Sequence, residues 1–130
     1  MPKILVVEDS ASTRSFVRST LESENGVADA EVVEAVSGFD ALRLLPRGPY
    51  DLVITDINMP DINGLELVSF VKKDPRYRNT KLLIVSTEGS ERDRDKGLAL
   101  GASAYLVKPF AADELRRLVR GLLPARSSRS

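Results

Sequence analysis

LVITDINMPDINGLEL, Leu52–Leu67, opens with three apolar residues and reaches an acid two positions later. Leu52, Val53 and Ile54 show no polar alternation, so both faces of the segment they form need cover, as in the inner strand of a parallel sheet. Thr55 and Asp56 end that run, and Ile57, Asn58, Met59 and Pro60 lead away from it. Leu65, Val68 and Val71 then step by three, the spacing of a helix with one buried face. The stretch therefore reads as strand, polar rim, helix.

The same unit recurs on either side. Ile4–Val7, Val32–Val36, Leu82–Val85 and Ala104–Val107 are further short apolar runs bounded by turn residues. Helical spacing lies between them. Phe16, Val17, Thr20 and Leu21 share one face, and Leu42 and Leu45 follow a start signal of Ser37 with Asp40 three residues on. Leu98 closes a charged segment before Gly101, a residue suited to the position after a helix end. Leu115, Leu118, Val119 and Leu122 form the last stripe. Five strand–helix repeats predict an α/β, doubly wound, five-stranded parallel sheet flanked by five helices. Right-handed crossovers place helices on both faces, and ligands in such sheets sit at the carboxyl ends of the strands.

Composition narrows the chemistry. The chain has 130 residues, with 19 Lys+Arg against 19 Asp+Glu, no cysteine and no histidine. That length fits one domain, expected over residues 1–123, with the polar stretch 124–130 (PARSSRS) expected to be a flexible tail or the start of a linker. Charge balance argues against a dedicated nucleic-acid or membrane-surface binder. Without thiol or imidazole there is no disulfide, no zinc-thiolate site, no Ser-His-Asp triad and no internal phosphohistidine. No signal-peptide pattern and no apolar run near ~18 residues is present, so a cytoplasmic location is expected.

The residues after each strand carry the chemistry. They are Glu8 and Asp9 after the first run, Asp56 after the third, Ser86, Thr87 and Glu88 after the fourth, and Lys108, Pro109 and Phe110 after the fifth. Each has an ordinary explanation in isolation: Glu8 and Asp9 cap a helix, Asp56 ends a strand, Lys108 is a solvated surface lysine. Brought to one rim, the acids repel unless a cation joins them. Mg2+ takes oxygen ligands and links one or two carboxylates to a phosphate, which suits Glu8, Asp9 and Asp56. A carboxylate is also a competent nucleophile toward a phosphoryl group, and the Lys108 ammonium and Ser86 hydroxyl would neutralise oxygens of that group.

VVEDS (Val6–Ser10), Leu52–Leu67, VSTE (Val85–Glu88) and GASAYLVKPF (Gly101–Phe110) together resemble the receiver domain of CheY-like response regulators in two-component signalling, over Lys3 to Leu123. The resemblance implies the flavodoxin-like strand order 2-1-3-4-5 and a signalling switch that catalyses only its own phosphotransfer and dephosphorylation. It implies Asp56 as phosphoacceptor and Asp9 as a direct Mg2+ ligand. Glu8 would act through water, and the Asn58 backbone carbonyl would complete the ligands. Ser86 becomes the switch hydroxyl, Tyr105 the switch aromatic and Lys108 the phosphate-binding lysine, with a cis Lys108–Pro109 bond. Asn58 and Glu88 would position an attacking water, implying a short-lived phosphoryl group. Implied partners are a sensor histidine kinase or phosphotransfer protein and a downstream protein at the face of helix 4, strand 5 and helix 5, with a phosphorylation-linked homodimer as a further expectation.

Departures from the family pattern are mild. Glu8 stands where Asp is frequent, Ser86 where Thr is frequent, and Thr87 where a small residue is common. Ala111 replaces a capping Ser or Thr, so the last helix is expected to fray at its start. Two other readings fit poorly. A haloacid-dehalogenase-like phosphatase would carry its nucleophile after the first strand and a second Asp two residues later. A flavodoxin-like carrier would need a phosphate loop where Glu8 and Asp9 stand.

Overall fold

The computed structural model describes residues 2–23, 30–87 and 89–123. The tail expected over 124–130 lies outside them. Five parallel strands, β1 (Lys3–Val7), β2 (Glu31–Ala35), β3 (Leu52–Thr55), β4 (Lys81–Ser86) and β5 (Ala104–Val107), lie in the order β2-β1-β3-β4-β5. Helices α1 (Ala11–Glu22), α2 (Gly38–Leu44), α3 (Gly64–Lys73), α4 (Glu91–Ala99) and α5 (Ala112–Leu122) complete the doubly wound fold expected from the sequence.

The continuous apolar runs are inner strands. β3 is buried at every position, and β1 and β4 at every position but the first. Alternation sorts their side chains into two cores. Leu5, Val7, Val53, Leu82 and Ile84 meet Leu67, Val68 and Val71 of α3 on one face. Ile4, Val6, Leu52, Ile54, Leu83 and Val85 meet Val17 and Leu21 of α1 and Leu115 and Val119 of α5 on the other. Burying a side chain of this kind contributes about 1.5–3 kcal/mol, so these two layers supply most of the drive for folding.

Several local readings change. Val36 falls outside β2 and is 51% exposed, and its N–H bonds Asp40 Oδ2 at 3.0 Å. Phe16, grouped with the buried face of α1, is 43% exposed at its margin, where its ring meets Phe110 at a centroid distance of 5.8 Å. Leu45 is buried but sits in a 3-10 turn, Leu45–Arg47, since Pro46 cannot extend α2. Gly101 follows α4 with φ 118°, the left-handed conformation expected of it, and its N–H reaches the Leu98 carbonyl at 3.0 Å. At the start of α5, Ala111 offers no side-chain oxygen, yet Glu114 Oε1 accepts from the Ala111 N–H at 2.9 Å. That is one half of a capping box, and it ties down the end expected to fray.

Candidate functional site

Strand order fixes where the polar residues go. β1 and β3 are neighbours with Val7 opposite Thr55, so the residues that follow them, Glu8, Asp9 and Asp56, leave the sheet side by side. The Asp56 N–H still bonds the Val7 carbonyl at 3.2 Å, and the Glu8 N–H bonds Ala35 at 3.1 Å. Oxygens of the three carboxylates all lie within 4.8 Å of one another. Glu8 and Asp56 are buried and Asp9 is exposed.

Lys108 closes the cluster from β5. Its Nζ donates to Glu8 Oε1 at 3.0 Å and to Asp56 Oδ2 at 3.2 Å, from residues 100 and 52 positions away. The Lys108 N–H bonds the Ser86 carbonyl at 2.7 Å, and Lys108–Pro109 is cis, as expected. Burial alone would pull the ammonium down, but the Glu8 hydrogen bond and the charges of Asp56 and Glu8 outweigh it, and the pKa lies above the usual lysine value. Burial pushes the Glu8 carboxyl up, against the hydrogen bonds from Ser10 and Lys108, and the nearby Asp56 charge adds to the rise. A carboxylate pair served by one lysine is therefore short of positive charge. Three oxygen donors at this separation, with no nitrogen or sulfur ligand, suit a hard divalent cation such as Mg2+.

The remaining candidates line the same rim. Ser86 is fully buried at the end of β4. Leu82 and Ile84 face the α3 side of the sheet, so Ser86, two residues further, shares that face with Tyr105, which packs in the same core. Asn58 is exposed two residues past Asp56, Thr87 is exposed beside Ser86, and Glu88 lies outside the described residues. A cleft of about 400 Å3, lined by Ser12, Thr13, Phe16, Thr87, Pro109 and Phe110, opens beside Lys108.

This arrangement of acids and lysine on a 2-1-3-4-5 sheet matches a known family. A profile of the response regulator receiver domain fits residues 4–120. The chain belongs to the response regulator receiver domain family. A chemotaxis protein CheY homolog from Campylobacter jejuni is 35% identical over 122 residues, 93% of this chain and 92% of that protein. A high-resolution structure of the chemotaxis response regulator CheY4 of Vibrio cholerae superposes with a TM-score of 0.85 at 36% identity, covering 95% of this chain and 99% of that one. The transcriptional regulatory protein CusR of Escherichia coli is 38% identical over 121 residues, of which the match spans 51% of its length. The receiver thus occurs both nearly alone and as part of a longer protein. Among the described residues no helix is long and apolar enough to cross a membrane.

Two residues that hold this receiver site together carry no chemical signature in the sequence. The first is Gly64, at the start of α3. A Cβ there would stand 2.0 Å from the Asp56 carbonyl oxygen, and the Gly64 N–H bonds the Ile57 carbonyl at 2.8 Å. The second is Asp61, whose two oxygens accept from the N–H groups of Gly38 at 3.1 Å and Phe39 at 2.8 Å. It thereby moors the β3–α3 loop to the first turn of α2. An Asn-Gly pair is a general turn signal that points to Gly64, but nothing local to Asp61 announces its reach across 23 positions.

The hydrogen bond from Phe39, followed by those from Ile62 and Gly38, lowers the Asp61 carboxyl to about 2. A depressed carboxyl stabilises the fold above its unfolded value, about 3.9, and that contribution is lost as pH falls through the folded value. Asp61→Asn is expected to be less stable than wild type at pH 7, with the gap closing between about pH 4 and pH 2. Urea unfolding over that range measures it, and a gap independent of pH would remove the carboxylate from the account.

Proposed function

We propose that the domain is a phosphoaccepting switch in which Asp56 takes a phosphoryl group from a partner histidine kinase or phosphotransfer protein. The observation that carries this reading is the convergence of Asp56 with Glu8 and Asp9 inside 4.8 Å and with the Lys108 ammonium at 3.2 Å. An Asp56 oxygen attacks phosphorus, the donor's P–N bond breaks, and the imidazole leaves with the bonding pair. Phosphoryl transfer asks the protein mainly to position groups and to neutralise the equatorial oxygens. Glu8, Asp9, Asp56 and the Asn58 backbone carbonyl would hold Mg2+, which when bound supplies that neutralisation. Lys108 moves its ammonium from the carboxylates to one phosphoryl oxygen, and the Ser86 hydroxyl serves another. Asn58 and Glu88 hold the water for later hydrolysis, so the phosphoryl group is short-lived.

The charge then becomes a signal through packing. Phosphorylation adds roughly −1.5 to −2 charge and three acceptor oxygens. Ser86 shifts toward them, and Tyr105, on the same sheet face, fills the space behind. Tyr105 lies against α4, where a Cβ on Gly97 would be 3.4 Å from its ring. A change in the ring therefore changes the α4–β5–α5 face offered to a downstream protein or to a second copy. Because α4 carries Glu91, Arg92, Asp93, Arg94, Asp95 and Lys96, such a partner is met by mixed charge.

Incubation with Mg2+ and acetyl phosphate tests the chemistry. Wild type is expected to gain the mass of one phosphate and Asp56→Asn none. Equal labelling of both would remove Asp56 from the reaction.

A further inference from the structure

Arg14 lies on α1, yet its side chain reaches back to the acids. Its Nη1 donates to the Glu8 carbonyl at 2.9 Å and its Nε to Glu34 Oε1, on β2, at 2.8 Å. The side chain is only 17% exposed. Arg18 pairs with the other oxygen of Glu34 and with Glu22, so Glu34 is held from two sides.

The Glu8 carbonyl needs such a donor. Its N–H still joins the ladder at Ala35, but β2 ends there, and Ser37, the next residue whose amide would face β1, is the N-cap of α2. In a parallel ladder a residue's N–H and C=O bond positions two residues apart on the same neighbour, here Ala35 and Ser37, so a continuing β2 would have served this carbonyl. Arg14 supplies the hydrogen bond instead. The position matters because adjacent residues of a strand point to opposite faces. Glu8 and Asp9 are adjacent, and both present oxygens within 4.8 Å of Asp56. The backbone must leave strand geometry here, and fixing the Glu8 carbonyl fixes how it leaves.

We infer that Arg14, anchored by Glu34, is a positioning residue that sets the Glu8–Asp9 pair for a divalent cation. The inference rests on the phosphoacceptor reading of the site. It differs from a plain clamp between α1 and β2, which would affect how much protein is folded but not how the folded protein binds an ion.

Calorimetric titration of Mg2+ separates the two, with urea unfolding run on the same proteins. Residues outside a ligand shell that orient its members typically change metal affinity 10–100-fold when removed. Arg14→Ala is expected to bind Mg2+ at least about tenfold more weakly than wild type, and Glu34→Gln to shift in the same direction by less. Arg14→Lys keeps the charge but lacks the planar fork that holds a carbonyl and a carboxylate together, so it recovers only part of the loss. Val119→Ala, a cavity in the α5 core, serves as control; it loses stability and keeps wild-type affinity. Wild-type affinity in Arg14→Ala, or full recovery in Arg14→Lys, would overturn the inference. Absence of Mg2+ binding in wild type would overturn the site reading and this inference with it.

Discussion

Gly64→Ala is expected to lose about 3 kcal/mol of stability and most of the labelling of Asp56, although it adds a single methyl group at a good helix position. Overpacking usually costs about 1–3 kcal/mol because a neighbour can shift. Here the added Cβ meets the Asp56 carbonyl oxygen at 2.0 Å, its carbon at 2.8 Å and the Ile57 Cα at 2.8 Å, all of them backbone. No rotamer relieves that. Either α3 withdraws, breaking the Gly64 N–H bond to Ile57 and uncovering Leu67 and Val68, or the turn after β3 moves and takes the Asp56 carboxylate with it. Helix propensity works the other way and is too small to compensate, since Ala exceeds Gly by about 1 kcal/mol. Urea unfolding and acetyl phosphate labelling are read together. A stable variant that labels at the wild-type rate would show that α3 and the β3 turn do not touch as described.

The contrast between Gly64 and Asp56 shows which parts of the site a sequence discloses. A carboxylate straight after Leu52–Thr55, a segment with no exposed position, is conspicuous because nothing structural requires a charge there. The inner strands β1, β3 and β4 were legible for the same reason: cover on both faces leaves an unbroken apolar run. Lys108 was legible once β5 was placed, since strand order alone carries it to the rim. Gly64 was not, because a glycine's meaning lies in the atoms that occupy the missing side chain's space. Asp61 and Arg14 read as ordinary surface charges, and their roles depend on which backbone groups β2 and α2 leave without partners. The misplaced end of β2 has a related cause. Val36 is apolar and extends the run, but β2 stops at Ala35 because Ser37 already caps α2, and hydrophobicity carries no record of where the next helix begins.

Lys108→Ala carries the other large effect and exposes what holds the acids together. In the wild type the Lys108 side chain is 17% exposed, facing the side chains of Glu8 at 5% and Asp56 at 11%. Removing one member of a buried ion pair leaves its partners' desolvation uncompensated, typically at a cost of about 3–5 kcal/mol. The exposed Asp9 edge admits water, so a loss of about 3 kcal/mol is expected at pH 7 in the presence of a chelator. The sign with pH follows from the groups left behind. Glu8 already sits above the usual carboxyl value through burial, and the variant raises it further, so acid relieves the repulsion. The stability gap to wild type therefore narrows as pH falls toward the usual carboxyl value from above, through the raised Glu8 value of the variant. Added Mg2+ should recover more stability in the variant than in wild type, because it replaces a missing counter-charge instead of competing with one. Phosphate should still reach Asp56, but about a hundredfold more slowly, the usual cost of losing one group that neutralises a transferring oxygen. Urea unfolding with and without Mg2+, across pH, measures all but the last. A variant as stable as wild type at every pH would make Lys108 a solvated lysine, and the acid cluster would have to be balanced by something else.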